Sequence, residues 1–259
     1  MTNAVERFLA PERYQPDVPI RPVSWLVRGL WMPARINLLL GAEKAGKSRL
    51  LGWLLAAILS DQPSVLHQPI APERPKRWLY LAGEETKAEV MGRLHDYLRH
   101  LGQPNATPDL YVGDAAGLGL ESPSRRHDLE ALLVRDQYDG LVLEPLRRLH
   151  GANEDRNSEM TPILNDLRRW ANVLGVTVVL CHHTGKLNEY ADPYRIATWS
   201  RGASDVATIA DTALFLQATS EADIRILTLM RAGRFPPLPP LRIADQGDPK
   251  DGGKGFLAL

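Results

Sequence analysis

The sequence predicts an α/β fold with a mostly parallel central sheet, helices on both faces and antiparallel strands near the C-terminus. Short apolar segments alternate with helix-compatible segments along most of the chain, which is the pattern of successive β-α-β units. Residues 176–181 (VTVVLC) are apolar and largely β-branched, as in a parallel strand covered on both faces. The strands after residue 212 follow one another as hairpins, which fits an antiparallel extension of the sheet.

The elements are assigned in order from hydrophobic periodicity and flanking residues. We expect strands at residues 36–40, 78–82, 110–112, 141–143, 176–181, 213–216 and 224–229, with weak edge strands at 241–243 and 256–259. We expect helices at residues 50–59, 85–101, 125–136 and 157–174 and near Asp205, and a loop at residues 184–200. One face of the second helix carries apolar side chains only, namely Val90, Leu94, Tyr97, Leu98 and Leu101. Gly175 is a suitable C-cap for the fourth helix.

The domain organisation follows from length and proline content. A chain of 259 residues is long enough for one large α/β domain with a sizeable core. Prolines are frequent in residues 1–35, which predicts an irregular N-terminal stretch. We therefore expect a proline-rich arm at residues 1–23 and a single domain at residues 24–259.

Composition and charge narrow the functional classes. Lys plus Arg and Asp plus Glu both total 31, so the formal net charge is zero, which argues against non-specific coating of nucleic acid. A local basic channel stays compatible with this balance. Cys181 is the only cysteine, which excludes an intrachain disulfide and favours a reducing compartment. With no signal peptide and no apolar run near the roughly 20 residues of a membrane span, we expect a cytoplasmic protein without a membrane partner.

Residues 41–48 (GAEKAGKS) fit the phosphate-binding pattern G-x-x-x-x-G-K-[ST] at every fixed position. A strand precedes the loop and a helix-compatible run follows it, so backbone N–H groups and the helix dipole converge on one anion. Lys47 is expected to reach the β- and γ-phosphates of ATP, and the Ser48 hydroxyl to ligate Mg²⁺. The alternative, a glycine turn without a ligand, is disfavoured by these flanks. The expected nucleotide-binding residues are Gly41, Ala42, Glu43, Lys44, Ala45, Gly46, Lys47, Ser48 and Arg49.

Acidic residues follow two predicted strands at the sheet edge where this loop lies. Hydrolysis needs one acid to hold magnesium through water and another to activate the attacking water. Glu84 and Glu85 follow the strand at residues 78–82. Their alternative is a helix-start pair favoured by the helix dipole, and Glu85 is the better cap candidate. Glu144 ends the apolar run 141–143, a position that solvation alone explains poorly.

Two histidines, His182 and His183, follow the strand at residues 176–181. A histidine at this place can donate a hydrogen bond to the γ-phosphate and transmit its loss to the next loop. The alternatives are a metal site and a core histidine paired with a carbonyl. No Cys or Glu occurs at zinc-ligand spacing nearby, which disfavours the metal.

Several segments occur in an order that resembles a known family. Besides the phosphate loop, they are residues 25–27 (WLV), 81–84 (LAGE), 143–148 (LEPLRR), 179–186 (VLCHHTGK) and 201–204 (RGAS). The series resembles the RecA-like ATPases typified by the plasmid replicative helicase RepA, with DnaB-type helicases as more distant relatives. The likeness spans about residues 24–243, so residues 24–259 are expected to form a RecA-like ATPase domain.

This resemblance implies roles for the strand-end residues. It implies Glu84 as the general base for water, Glu144 as the acid on the Mg²⁺ side, and His183, ahead of His182, as the γ-phosphate sensor. Family members usually carry Asp where Glu144 stands. The longer side chain can still reach the metal shell, but it puts the rate of hydrolysis in doubt.

The resemblance also implies a homo-oligomeric ring, a hexamer by analogy, with the nucleotide at the joint between subunits. In such rings a basic residue from the neighbour completes each site. Arg231 and Arg234, just after the strand at residues 224–229, match the place where the family presents this residue. The spacing does not choose between them, and two solvated arginines are the alternative.

Candidate contacts to single-stranded DNA lie on loops whose ends are near the ATP site. The segment 147–157 supplies Arg148. The segment 186–201 interleaves basic and aromatic residues: Lys186, Tyr190, Tyr194, Arg195, Trp199 and Arg201. This second pattern is the better candidate, because it suits backbone contact together with base stacking. Acidic residues in both segments favour the alternative, a surface lid that contacts no DNA.

Three functions are compatible with these features. The first is an oligomeric ATPase that moves on or remodels single-stranded DNA, as a replicative helicase does. The second is a non-motor ATP-dependent switch or a recombination or replication accessory ATPase. The third, a small-molecule kinase, leaves the His-His and Arg-Gly-Ala-Ser elements without a role.

Overall fold

The computed structural model describes residues 24–184, 204–232, 239–247 and 255–259, and the expected arm at residues 1–23 lies outside them. The strands are β1 (Ile36–Gly41), β2 (Ser64–Val65), β3 (Gln68–Pro69), β4 (Trp78–Ala82), β5 (Leu110–Asp114), β6 (Gly140–Glu144), β7 (Thr177–His183), β8 (Thr212–Ala218), β9 (Ile224–Ala232), β10 (Leu241–Asp245) and β11 (Phe256–Ala258). The helices are α1 (Lys47–Leu59), α2 (Lys87–His100), α3 (Pro123–Arg135), α4 (Asn157–Asn172) and α5 (Ser204–Ile209), and a 3₁₀ turn spans Leu146–Arg148.

Within the described ranges, nine strands form one sheet in the order β11-β10-β9-β8-β1-β7-β6-β4-β5. The strands from β8 to β5 in this order are mutually parallel. The strands β9, β10 and β11 continue the sheet as antiparallel neighbours. The predicted fold class is confirmed, and only the small β2–β3 hairpin was not expected from the sequence.

Helices cover both faces of the parallel strands, which explains their continuous apolar sequences. On one face α1 and α2 pack against alternate strand residues such as Leu39 and Val179. On the other face α3, α4 and α5 pack against the intervening residues, such as Leu38 and Leu180. Since successive strand residues point to opposite faces, the carboxyl edge of the sheet is left for polar side chains.

The start of the domain is irregular, as predicted, but it is packed rather than solvent-facing. Leu26, Val27 and Trp31 are fully buried against the α1 face. The Leu26 N–H donates to the Trp31 carbonyl at 2.8 Å, which closes a local turn. Residues 24–35 are therefore part of the core.

Two sequence expectations are wrong at the level of single residues. Helix α2 begins at Lys87 with Thr86 as its N-cap, so Glu85 is not the cap. The Thr86 side chain accepts from the Glu89 N–H and the Glu89 carboxylate accepts from the Thr86 N–H, a capping box that satisfies two backbone donors. Arg231 was expected after β9 but lies within it, because the strand continues to Ala232. None of the helices in the described part of the chain is long and apolar enough to cross a membrane.

Candidate active site

The carboxyl ends of β1, β4, β6 and β7 surround a cleft of about 360 Å³. Most of the predicted site residues line it together. The lining residues are Glu43, Lys44, Gly46, Lys47, Ser48, Arg49, Ala82, Glu84, Glu85, Glu144, Pro145, Cys181 and His183. The structure therefore brings together side chains that are separated by as many as 136 positions in the chain.

The phosphate loop leaves β1 at Gly41, between two neighbouring strands. Gly41 is paired with His183 of β7 and Leu216 of β8. A Cβ at Gly41 would lie 2.7 Å from the Leu216 carbonyl oxygen, so this close approach requires glycine. Gly46 precedes α1 with φ +98°, a left-handed conformation that side chains other than glycine rarely adopt. These two glycines give the loop the shape that aims its backbone N–H groups into the cleft.

Lys47 lies in the first turn of α1 and is almost fully buried. Its ammonium donates to the Gly41 carbonyl at 3.0 Å and to the Ala42 carbonyl at 2.8 Å. Burial lowers the pKa of this ammonium, and the charges of Glu144 and Glu84 oppose that shift. The amine is thus fixed at the base of the loop, where an anion replaces weak carbonyl partners with a charged one.

His183 enters the cleft, whereas His182 points to the opposite face of β7. The His183 Nδ1 lies 3.2 Å from the Lys47 ammonium nitrogen, which can only donate, so Nδ1 accepts and the proton resides on Nε2. Burial, and then the Lys47 charge, lower the pKa of His183 and favour this neutral form. His182 is buried, 3.8 Å from a Glu154 carboxylate oxygen in the segment before α4. Of the two histidines, His183 therefore presents an N–H donor to the cleft.

Glu84 follows β4 and keeps a partly exposed carboxylate at the mouth of the cleft. Its Oε1 lies 3.0 Å from Arg148 Nε and 4.0 Å from His183 Nε2. Glu85 instead faces Arg93 of α2, with an ion pair between the two side chains. The two adjacent acids therefore have different surroundings, and only Glu84 is near the γ-phosphate sensor candidate.

Glu144 ends β6 next to Ala82 in register and is 6% exposed. Burial raises the pKa of its carboxyl to about 7, against the opposing effects of a hydrogen bond with Ser48 and the charge of Lys47. The Ser48 hydroxyl and the Glu144 carboxylate are therefore adjacent oxygen ligands, as Mg²⁺ prefers. The described residues contain no cluster of three or more His, Cys, Asp or Glu side chains that could hold a metal alone. These two residues fit a Mg²⁺ that takes its remaining ligands from phosphate oxygens and water.

Two residues at the site were not anticipated from the sequence, namely Asp245 of β10 and Arg225 of β9. The Asp245 carboxylate is paired with Arg49 and lies 3.4 Å from Arg225 Nη2. Arg225 Nε donates to the Ala45 carbonyl of the phosphate loop at 3.3 Å. An acid in a weak edge strand gave no sequence signal for a buried partner of the loop.

The remaining predicted residues are not part of the described cleft. Arg148 lies on the 3₁₀ turn, is paired with Glu84 and is largely exposed. The backbone of Arg231 lies in β9, while its side chain is outside the described residues. The predictions at Arg234, Lys186, Arg195 and Arg201 also fall outside them.

The fold and this cleft agree with known protein families. The profile of the AAA domain family matches residues 6–189, which is the larger part of the chain. The chain therefore belongs to the AAA domain family, and it is a RecA-like P-loop ATPase. Among solved structures it is similar to the ATPase domain of a helicase, with a TM-score of 0.66 and 12% sequence identity over 92% of each chain. At that identity the similarity shows the shared fold.

Proposed function

We propose that this ATPase is an oligomeric, Mg²⁺-dependent enzyme whose turnover is coupled to single-stranded DNA, as in replicative helicases of the RepA type. The observation that carries the proposal is the ion pair between Glu84, the candidate base, and Arg148, an exposed candidate for DNA contact. A single pair thereby joins the chemistry of the cleft to a basic surface turn.

The proposed reaction transfers the γ-phosphoryl group of ATP to water, giving ADP and phosphate. Glu84 takes the proton of the attacking water, since its carboxylate stands at the cleft mouth without deep burial. Lys47 holds the β- and γ-phosphate oxygens, and His183 donates its Nε2–H to the γ-phosphate. Ser48 and Glu144 hold Mg²⁺, which neutralises developing charge on the phosphates when bound.

The proposal of a ring rests on where β9 runs. Gly41 pairs with Leu216, and Leu216 pairs with Leu227, so Leu227 lies level with the start of the phosphate loop. Arg231 pairs with Ala213, nearer the opposite edge of the sheet. Four strand residues separate Leu227 from Arg231, which is about 13 Å. This direction of β9 supports Arg231, or Arg234 beyond it, as an arginine finger for a neighbouring subunit, in a ring that we propose to be a hexamer.

The proposal of a DNA partner rests on local rather than net charge. Arg148 keeps a side chain that is 63% exposed, although it is paired with Glu84. The basic and aromatic residues at 186–201 follow β7 directly after His183, on the chain that leaves the cleft. Contacts there would bind the sugar-phosphate backbone and stack bases. The buried free thiol of Cys181 fits the reducing cytoplasm that we propose as the site of action.

The proposal is tested by ATP turnover with and without single-stranded DNA, together with a mass measurement of the assembly. We expect faster turnover with DNA and a mass several times that of the 28.8 kDa chain. Turnover that ignores DNA but changes with self-assembly would favour the non-motor switch. Phosphate transfer to a small acceptor would favour the kinase.

A further inference from the structure

The carboxylate of Asp245 is almost completely buried at the end of β10, with 3% of its side chain exposed. A buried charge is tolerated only where opposite charges and hydrogen bonds compensate it. Its compensation comes from the nucleotide side of the molecule, since both of its cationic partners, Arg49 and Arg225, contact the phosphate loop region.

Arg49 directly follows Ser48 in the first turn of α1 and lines the cleft. Its guanidinium is paired with Asp245 from 196 positions further along the chain. Asp245 therefore fixes the direction of a cation that would otherwise be free beside the bound phosphates.

Arg225 makes the second connection. Its Nη2 lies 3.4 Å from the Asp245 carboxylate, and its Nε donates to the Ala45 carbonyl at 3.3 Å. Its side chain is 13% exposed, so the contact with the loop is largely shielded from water. The Ala45 carbonyl directly precedes Gly46, the left-handed residue at which the loop turns into α1.

The same carboxylate approaches the loop itself. A Cβ added at Gly46 would lie 3.7 Å from Asp245 Oδ2 and 3.9 Å from the Phe256 ring. The C-terminal strands thus form the outer wall of the phosphate loop, and Asp245 supplies the only negative charge among the described groups that Arg49 and Arg225 share.

We propose that Asp245 is a positioning residue for ATP binding, which holds the phosphate loop in shape through Arg49 and Arg225. It touches no substrate atom in this role. The antiparallel strands β9 and β10 are then a functional part of the nucleotide site, in addition to extending the sheet. The inference rests on the proposed function of the loop in binding ATP.

The test compares Asp245→Asn with a matched control, Glu221→Gln, whose carboxylate pairs with Arg242 of the same strand β10 on the exposed surface. We expect Asp245→Asn to raise the KM for ATP and the Kd for a fluorescent ADP analogue about tenfold, with kcat within about twofold. The control should change neither, and Asp245→Glu should recover part of the affinity.

A purely structural ion pair would give a different result. It would lower the melting temperature and the active fraction, and hence apparent kcat, while KM stays as in the wild type, and that outcome would overturn the proposal. If Asp245→Asn does not fold, Arg225→Lys removes the Nε contact with Ala45 and keeps the charge, and the same rise in KM is required of it.

Lys47→Ala is measured alongside these variants. Loss of nucleotide binding in Lys47→Ala, with unchanged KM in Asp245→Asn and Arg225→Lys, rejects the role of Asp245 alone. Unchanged binding in Lys47→Ala rejects the proposed function of the loop instead, so the two failures are distinguishable.

Discussion

Arg148 Nε lies 3.0 Å from Glu84 Oε1, so the candidate base is ion-paired with a residue on the exposed turn after β6. Gly83 permits this approach, because a Cβ at that position would lie 2.7 Å from the Arg148 Cβ. A carboxylate held by a guanidinium is a poorer proton acceptor than a free one. A phosphate group that engages Arg148 would therefore release Glu84 for the attacking water.

The first prediction concerns Arg148→Ala. We expect ATP turnover without DNA to rise by up to about fivefold, because exposed ion pairs are weak and their loss has modest effects. We also expect the stimulation by single-stranded DNA to disappear, since the residue that joins the two is gone. Steady-state phosphate release with and without a DNA oligonucleotide measures both quantities.

The matched control for this variant is Arg147→Ala. Arg147 is similarly exposed and adjacent in sequence, but it lies 3.9 Å from Glu154 and is not paired with Glu84. It should leave turnover without DNA unchanged. Wild-type turnover and full DNA stimulation in Arg148→Ala would show that the pair has no part in coupling.

The second prediction concerns Glu84→Gln. The amide keeps the size of the side chain but cannot accept the proton of water, so kcat should fall roughly 100- to 10,000-fold. Nucleotide affinity should stay within about threefold, because Glu84 is not expected to contact the phosphates directly. Single-turnover hydrolysis and equilibrium binding separate the two effects. Undiminished hydrolysis in this variant would assign the base to another residue.

The third prediction concerns the buried carboxyl of Glu144, whose pKa is raised from 4.5 to about 7 by burial. Between these values the folded chain binds more protons than the unfolded chain, so this group lowers stability as pH rises from 4.5 to 7. Glu144→Gln removes the effect and should stabilise the nucleotide-free protein by up to about 3 kcal/mol at pH 8. At pH 4.5 the gain should be close to zero.

Urea denaturation of the wild type and of Glu144→Gln at both pH values measures this gain. The same variant should hydrolyse ATP poorly, because the amide is a weaker partner for Mg²⁺ than a carboxylate. An equal stability difference at both pH values would mean that the carboxyl is not buried as a charge in the folded state.

The fourth prediction concerns the proposed finger residues, Arg231 and Arg234. In a ring, Lys47→Ala damages the site of its own subunit, whereas loss of a finger damages the site of the neighbour. Equal mixing of the two inactive variants should then recover about a quarter of the sites, those with an intact lysine and an intact neighbour. The arginine that complements in this assay is the finger. If neither arginine variant recovers turnover on mixing with Lys47→Ala, no residue of this pair acts between subunits.

Much of the fold and the centre of the site could be predicted from local sequence. The apolar strands define the parallel sheet, and the residues that follow β1, β4, β6 and β7 meet at its carboxyl edge because parallel strands end there together. The choice of His183 over His182 also agrees with the alternation of side chains along a strand, which sends consecutive residues to opposite faces.

Pairings between distant side chains could not be predicted in this way. Arg148 and Glu84 are 64 positions apart, and Asp245 and Arg49 are 196 apart. Neither periodicity nor motif spacing carries information about which long side chains meet across a cleft. The helix cap was missed for a local reason, because the reciprocal hydrogen bonds of Thr86 and Glu89 outweigh the dipole preference of Glu85.

Calorimetric titration of the chain with a slowly hydrolysed ATP analogue and Mg²⁺ tests the central claim, that the loop at residues 41–48 binds a nucleoside triphosphate. We predict saturable binding of a single nucleotide per chain, weakened at least about tenfold in Lys47→Ala through loss of charge-assisted hydrogen bonds to phosphate. Absence of binding by the wild-type chain, or equal binding by Lys47→Ala, would contradict the account.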